Sequence, residues 1–152
     1  MSRELHRGRQ RGGPLGSVGS FSEAIALAFE LSSQFRYAHT AVMLDDDGNI
    51  CDMTIYADRD LHTIDTALDW AMCFTFNDED SSKMLIISVG DEPVDGPIRE
   101  DDIRIFEKAR EVFRKRCVDV IDWMRCDADN ARSTAMAISG SDPWQRHEAA
   151  DA

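Results

Sequence analysis

The chain is expected to be an α/β protein: a single-domain, three-layer-type sandwich with a mixed β-sheet and about three helices. Three observations carry that expectation. Apolar residues recur at helical spacing in some stretches and in short β-branched runs in others, and the two kinds alternate along residues 20–138. The run Met84 to Val89 is continuously apolar, the pattern of a strand covered on both faces. A chain of 152 residues is also long enough to bury a core without disulfides or a structural metal.

Residues 1–19 carry Arg3, Arg7, Arg9 and Arg11 among Gly, Ser and Pro, with almost nothing to bury, and are expected to be a disordered basic arm. Ser20-Phe-Ser-Glu23 has capping-box spacing and opens a first helix on which Ile25, Ala28, Leu31, Ser32 and Phe35 repeat. Two strands follow, Ala38 to Leu44 and Ile50 to Tyr56, joined by Asp45-Asp-Asp-Gly48-Asn49, a hairpin turn. Its Asp run is not a calcium loop, because the Gly falls at the wrong offset and the closing Glu is missing. Thr63 to Phe76 predicts a second helix, Met84 to Val89 a strand, and Asp91 to Pro97 a proline-bounded acidic loop.

The third helix is predicted from about Arg99 to Arg116, burying Ile103, Phe106, Ala109, Phe113 and Cys117. Its charges follow the helix dipole, with Glu100, Asp101 and Asp102 at the start and Arg114, Lys115 and Arg116 at the end. Val118 to Cys126 and Arg132 to Ile138 read as a closing hairpin around Asp127–Asn130. The ordered domain is thus expected over 20–138, with 139–152 a flexible tail.

Seventeen basic residues against 29 acidic ones leave a net charge of −12, which argues against nucleic-acid phosphates as a partner. Cys51, Cys73, Cys117 and Cys126 show no Cys-x-x-Cys spacing and are expected to be buried, reduced thiols. No apolar run reaches the ~20 residues of a membrane span, so the expectation is a cytoplasmic protein with no membrane contact. His39 and His62 lack a second ligand at zinc spacing and read as hydrogen-bonded structural residues. A Cys51–His39 nucleophile pair across the hairpin lacks a third group to orient it.

One stretch carries a resemblance. Leu85-Ile-Ile-Ser-Val-Gly-Asp91-Glu-Pro93 ends a strand, Asp102-Ile-Arg104 opens a helix, and Asp122-Trp123 follows twenty residues later in Val118-Asp-Val-Ile-Asp-Trp-Met-Arg125. Over roughly residues 36–127 this resembles the RadC-like branch of the JAB/MPN metalloprotease family. The resemblance implies a JAB/MPN sandwich with a cytidine-deaminase-like order of elements. In that family two His and one Asp hold a zinc ion, leaving a fourth position for the attacking water. Counting back from Asp102, the His positions fall near Val89 and Asp91, Arg99 stands where the family has Ser, and Trp123 replaces the His of the Asp-His strand. Only Asp102 survives. The resemblance therefore implies the fold and argues against the family's hydrolysis, with no catalytic residue and no cofactor expected.

Asp91, Glu92, Asp95, Glu100, Asp101 and Asp102 put six carboxylates within a dozen residues, and an oxygen-only Mg²⁺ or Ca²⁺ site would draw on Asp91 and Asp102. A helix N-terminus favours carboxylates without any metal, which accounts for half of that cluster. Arg104, Lys108 and Lys115 lie along one side of the third helix and are the candidate binding residues. Three functions follow as expectations. The first is a non-catalytic protein-interaction or scaffolding module, its protein partner unidentified and homo-oligomers possible through a sheet edge. The second is a divalent-metal hydrolase of peptide or phosphodiester bonds using the 91–102 loop. The third is a phosphate or nucleic-acid binder using the basic helix face.

Overall fold

The computed structural model describes residues 4–9 (backbone), 16–57, 67–69, 71 and 81–145. In chain order the elements are β1 (Glu4–Arg9), α1 (Phe21–Gln34), β2 (Ala38–Leu44), β3 (Ile50–Ala57), β4 (Lys83–Val89), α2 (Glu100–Arg114), β5 (Asp119–Cys126), β6 (Ala131–Ser133) and α3 (Thr134–Ser139). The strands form one mixed sheet in the order β1-β3-β2-β4-β5-β6. Only β4 and β5 run parallel, because α2 carries the chain back to the starting end of the sheet; the other neighbours are antiparallel.

Side chains alternate across the strands, so the sheet feeds two cores. On one face Val42, Leu44, Leu85, Ile87, Ile121 and Met124 pack with Ala24, Ala28 and Leu31 of α1. On the other, Ala41, Met43, Met84, Ile86 and Trp123 meet Ile105, Phe106, Ala109 and Phe113 of α2. This is the α/β sandwich, and the run from Met84 to Val89 is buried throughout, as its composition predicts. In β5 the register shifts: Met84 pairs with Val120 but Leu85 with Asp122, leaving Ile121 as the extra residue of a bulge.

Several boundaries differ from the sequence reading. The arm expected to be disordered contributes β1, whose backbone pairs with β3 from Glu4↔Ala57 to Arg9↔Asp52. A strand edge offers N–H and C=O groups that any backbone can satisfy, so this pairing needs no apolar side chains from the arm. Residues 16–18 also belong to the domain. Val18 is buried, its N–H donates to Gly48 O at 2.8 Å, and Ile50 N donates to Gly16 O at 3.0 Å. Gly48 is left-handed at φ 86, and a Cβ there would stand 3.1 Å from the Gly19 backbone, so both the turn and the close approach disfavour a side chain. Asp45 holds the same turn by accepting from the N–H groups of Asp47 and Asn49, both at 2.9 Å.

The start of α1 is capped as expected, Ser20 Oγ accepting from Glu23 N at 3.2 Å. α2 spans fewer residues than predicted and buries Ile105 rather than Ile103; Cys117 lies exposed beyond it at φ 62, contrary to the expectation of a core thiol. The predicted strand 132–138 is mostly helical. β6 lasts three residues before Ser133 caps α3, its hydroxyl accepting from Met136 N at 3.0 Å. The predicted tail is anchored through residue 144: Trp144 is buried, stacks edge-on to Phe21 at 6.2 Å, and donates to Val18 O. Of the predicted helix 63–76, residues 67–69 and 71 are helical, with Ala67, Leu68 and Ala71 buried. His62, Trp70, Cys73 and Phe76 lie outside the described residues.

Candidate functional site

In an α/β sheet the crevice outside the carboxyl ends of parallel strands is where ligands gather. Here that end is formed by the close of β4 and β5, the loop 90–98 and the first turn of α2. Both candidate metal ligands are near it, and each is already engaged by arginine.

Asp102 sits in the first turn of α2 with its side chain only 2% exposed. Arg125, at the end of β5, donates Nη1 to both Asp102 oxygens at 3.1 Å. Arg132, from β6, donates Nη2 to Oδ2 at 2.8 Å. The two arginine side chains are themselves 12% and 15% exposed, so the carboxylate and its partners are withdrawn from water together. The network continues outward: Arg125 Nη2 reaches Glu92 at 3.2 Å, and Glu92 also pairs with Arg99. Burial alone would raise the Glu92 carboxyl, but Arg125 and Arg99 outweigh it and hold it below its usual range. Arg132 donates further to Val94 O at 3.4 Å, while Val94 N donates to Asp127 Oδ2 at 2.9 Å. That Val94 contact, with the N–H groups of Asp129 and Asn130, holds the Asp127 carboxyl low. The loop is thereby tied to α2, β5 and the β5–β6 turn.

Asp91 belongs to a separate arrangement. Arg36 grips it through Nε and Nη2, the latter at 2.9 Å, and the Tyr37 hydroxyl donates to it as well. Arg36 and Asp91 border a hollow of about 290 Å³ with Ser32, Ser33 and Gly90. Arg36 and Tyr37 at Asp91 are not the residues that hold Asp102, which are Arg125 and Arg132. Val89 is buried in the α1 core. The zinc that the resemblance implies therefore does not fit: one ligand position is an alkyl side chain, one is held by Arg36, and the surviving Asp is neutralised by two guanidinium groups. Among the described residues no group of three His, Cys, Asp or Glu side chains is placed to hold a metal ion.

His39 is buried and paired in the way the sequence suggested, Nδ1 to Ser88 Oγ at 2.9 Å, and Trp123 Nε1 donates to the same oxygen at 2.9 Å. Cys51 lies at the other end of the hairpin, since His39 registers with Tyr56, so the two form no nucleophile pair. Cys126 is buried, and burial, with a smaller contribution from Asp127, pushes its thiol up to about 12. The candidate binding residues divide. Arg104 and Lys108 line a shallow groove of about 390 Å³ on the outer face of α2, together with Glu100, Glu107 and Glu111, so this face is mixed rather than basic. Lys115 stands exposed beyond the helix end.

Three features escaped the sequence reading. Arg125 and Arg132 as partners of Asp102 were missed, although an Arg inside a buried apolar strand signals a buried countercharge. The Ser88–Trp123 contact depends on strand register. Asp122, buried in the bulge of β5, accepts from Ser133 Oγ, from Trp123 N at 2.7 Å and from Ala135 N at 2.9 Å, which fixes the β6–α3 corner. No family model, curated protein or solved structure matches the chain significantly. No helix among the described residues is long and apolar enough to cross a membrane.

Proposed function

We propose that this chain is a degenerate RadC/JAB-like domain that has lost hydrolysis and works in the cytoplasm as a protein-interaction module. The observation that carries the reading is the Arg125–Asp102–Arg132 clamp. Asp102 is the one zinc ligand the resemblance retains, and two permanent cations fill the electrostatic role a divalent ion would have there. A metal binding at Asp102 would have to displace both guanidinium groups and leave them partly buried beside a dication, which is electrostatically costly. The scattered cysteines, with no Cys-x-x-Cys pair, agree with the reduced thiols of a cytoplasmic protein. The mixed charge of the α2 groove weighs against the phosphate-binding reading, because Glu100, Glu107 and Glu111 would repel an anion.

Metal analysis of the purified chain, followed by calorimetric titration with Zn²⁺ and Mg²⁺, tests this. The expected result is no stoichiometric metal and no heat beyond that of the Asp102→Asn variant. Sub-micromolar binding that disappears in Asp102→Asn would overturn the reading in favour of a metal-dependent hydrolase.

A further inference from the structure

Resting on that interaction reading, and naming its surface and partner, we propose that two copies of this chain pair through the outer face of α2, with the helices antiparallel. The helix and the residue after it present eight exposed charges: Glu100, Asp101, Arg104, Glu107, Lys108, Glu111, Arg114 and Lys115. Four are acidic and four basic, so the strip is neutral on a chain whose net charge is −12. The net charge makes two copies repel as wholes, and the neutral strip adds nothing to that repulsion.

The order of the charges selects the orientation. An axis of two-fold symmetry placed between Glu107 and Lys108 brings Glu100 level with the second copy's Lys115, Asp101 with its Arg114, and Arg104 with its Glu111. Within 100–115 the levels away from the axis join opposite signs, and the pairs that also share a flank at about 100° per residue are Arg104 with Glu111 and Glu100 with Lys115. The exposed Arg99 and Arg116 just outside that span meet like for like. At the axis itself Glu107 and Lys108 each neighbour both their own copy and the opposite charge. A parallel arrangement would set each charge against itself. Glu100, Arg104, Lys108, Glu111 and Lys115 recur at intervals of three and four residues, which places them on one stripe of the helix. The groove lined by Glu100, Ile103, Arg104, Glu107, Lys108 and Glu111 gives that stripe room for interleaved side chains. Such an isologous contact closes as a dimer, since the same patch serves both partners. Its polarity makes it reversible and sensitive to salt, because exposed pairs are screened over a Debye length of about 10 Å at 0.1 M.

Sedimentation analysis of the full chain provides the test. Wild type is expected to be in a concentration-dependent monomer–dimer equilibrium that shifts toward monomer as salt rises. Arg104→Glu sets Glu against Glu111 twice per dimer, and Glu111→Arg sets Arg against Arg104 twice, so each single variant should weaken self-association by roughly tenfold or more. The double variant should restore it, and an equimolar mixture of the two singles should form heterodimers although neither pairs with itself. Circular dichroism checks that each variant is folded. A wild type that stays monomeric up to about 1 mM, the weak limit of specific association, overturns the proposal. So does a dimer indifferent to the single reversals, or a double variant that fails to recover. If the wild type is monomeric and binds no metal, only the self-pairing falls. If it binds Zn²⁺ through Asp102, the interaction-module reading falls instead.

Discussion

Asp102 and Asp122 are both buried carboxylates at the ends of the β4–α2–β5 unit, and the chain treats them in opposite ways. Asp102 faces two guanidinium groups, so its charge is matched inside the fold. Asp122 faces only neutral donors: one hydroxyl and backbone N–H groups. Those hydrogen bonds favour the ionised form, yet burial prevails and pushes the Asp122 carboxyl up to about 6. At Asp122 the neutral donors do not offset the loss of water, whereas Asp102 has two countercharges within hydrogen-bond distance. The difference also separates their roles. Asp102 gathers the two arginines that reach Glu92 and Val94 of the 90–98 loop; Asp122 shapes a turn.

The largest effect is expected at the clamp. Asp102→Ala leaves Arg125 and Arg132 mostly buried without their shared anion, and should cost about 3 kcal/mol of unfolding free energy in urea denaturation. Replacing all three residues together by apolar side chains of similar volume should recover most of that loss, since it removes the orphaned charges as well. A loss below about 0.5 kcal/mol in the single variant would mean the clamp is no more than a surface pair, and the contrast would break.

The next effect is in pH. Asp122 binds its proton more tightly folded, near pH 6, than unfolded, near 3.8, so protonation stabilises the fold. The contribution is complete below pH 3.8 and disappears as pH rises through 6, a loss of up to about 3 kcal/mol. Asp122→Asn cannot titrate, so the stability difference between wild type and variant should change between pH 4 and 6 and then stay level. A difference curve flat over that whole range would show that Asp122 behaves like an ordinary carboxylate.

The smallest effect is expected at Asp91. Its Arg36 partner is 76% exposed and its own side chain 50%, so water already solvates both. Arg36→Ala should leave the urea denaturation midpoint almost unchanged, and added salt should erase any remaining difference. Together the three measurements rank carboxylates by burial and countercharge.

Much of the fold was legible in the chain. Continuous apolar content marked β4, an acidic start and basic end marked α2, and Ser20 marked the opening of α1, because each signal is local and repeats at the period of its element. The losses came where a local signal met a distant demand. Arg132 to Ile138 has the composition of a strand, but the buried Asp122 draws Ser133 and Ala135 into a helix start. The arm before residue 16 has the composition of disorder, but β3 has an open edge for it to pair.

The candidate site divides along the same line. That Val89, Arg99 and Trp123 cannot complete a zinc site of the kind the resemblance implies can be read from the chain, since no folding can turn those side chains into ligands. What surrounds Asp102 instead cannot be read that way. Arg125 lies 23 residues from Asp102 and Arg132 lies 30, and no short-range periodicity relates them. The chain alone determined which groups are available and which local elements they ride on, because propensity and periodicity act over a few residues. Only the packing of β5 and β6 against α2 decided which charges are buried together, because the countercharges that Asp102 meets are chosen by proximity in space rather than along the backbone.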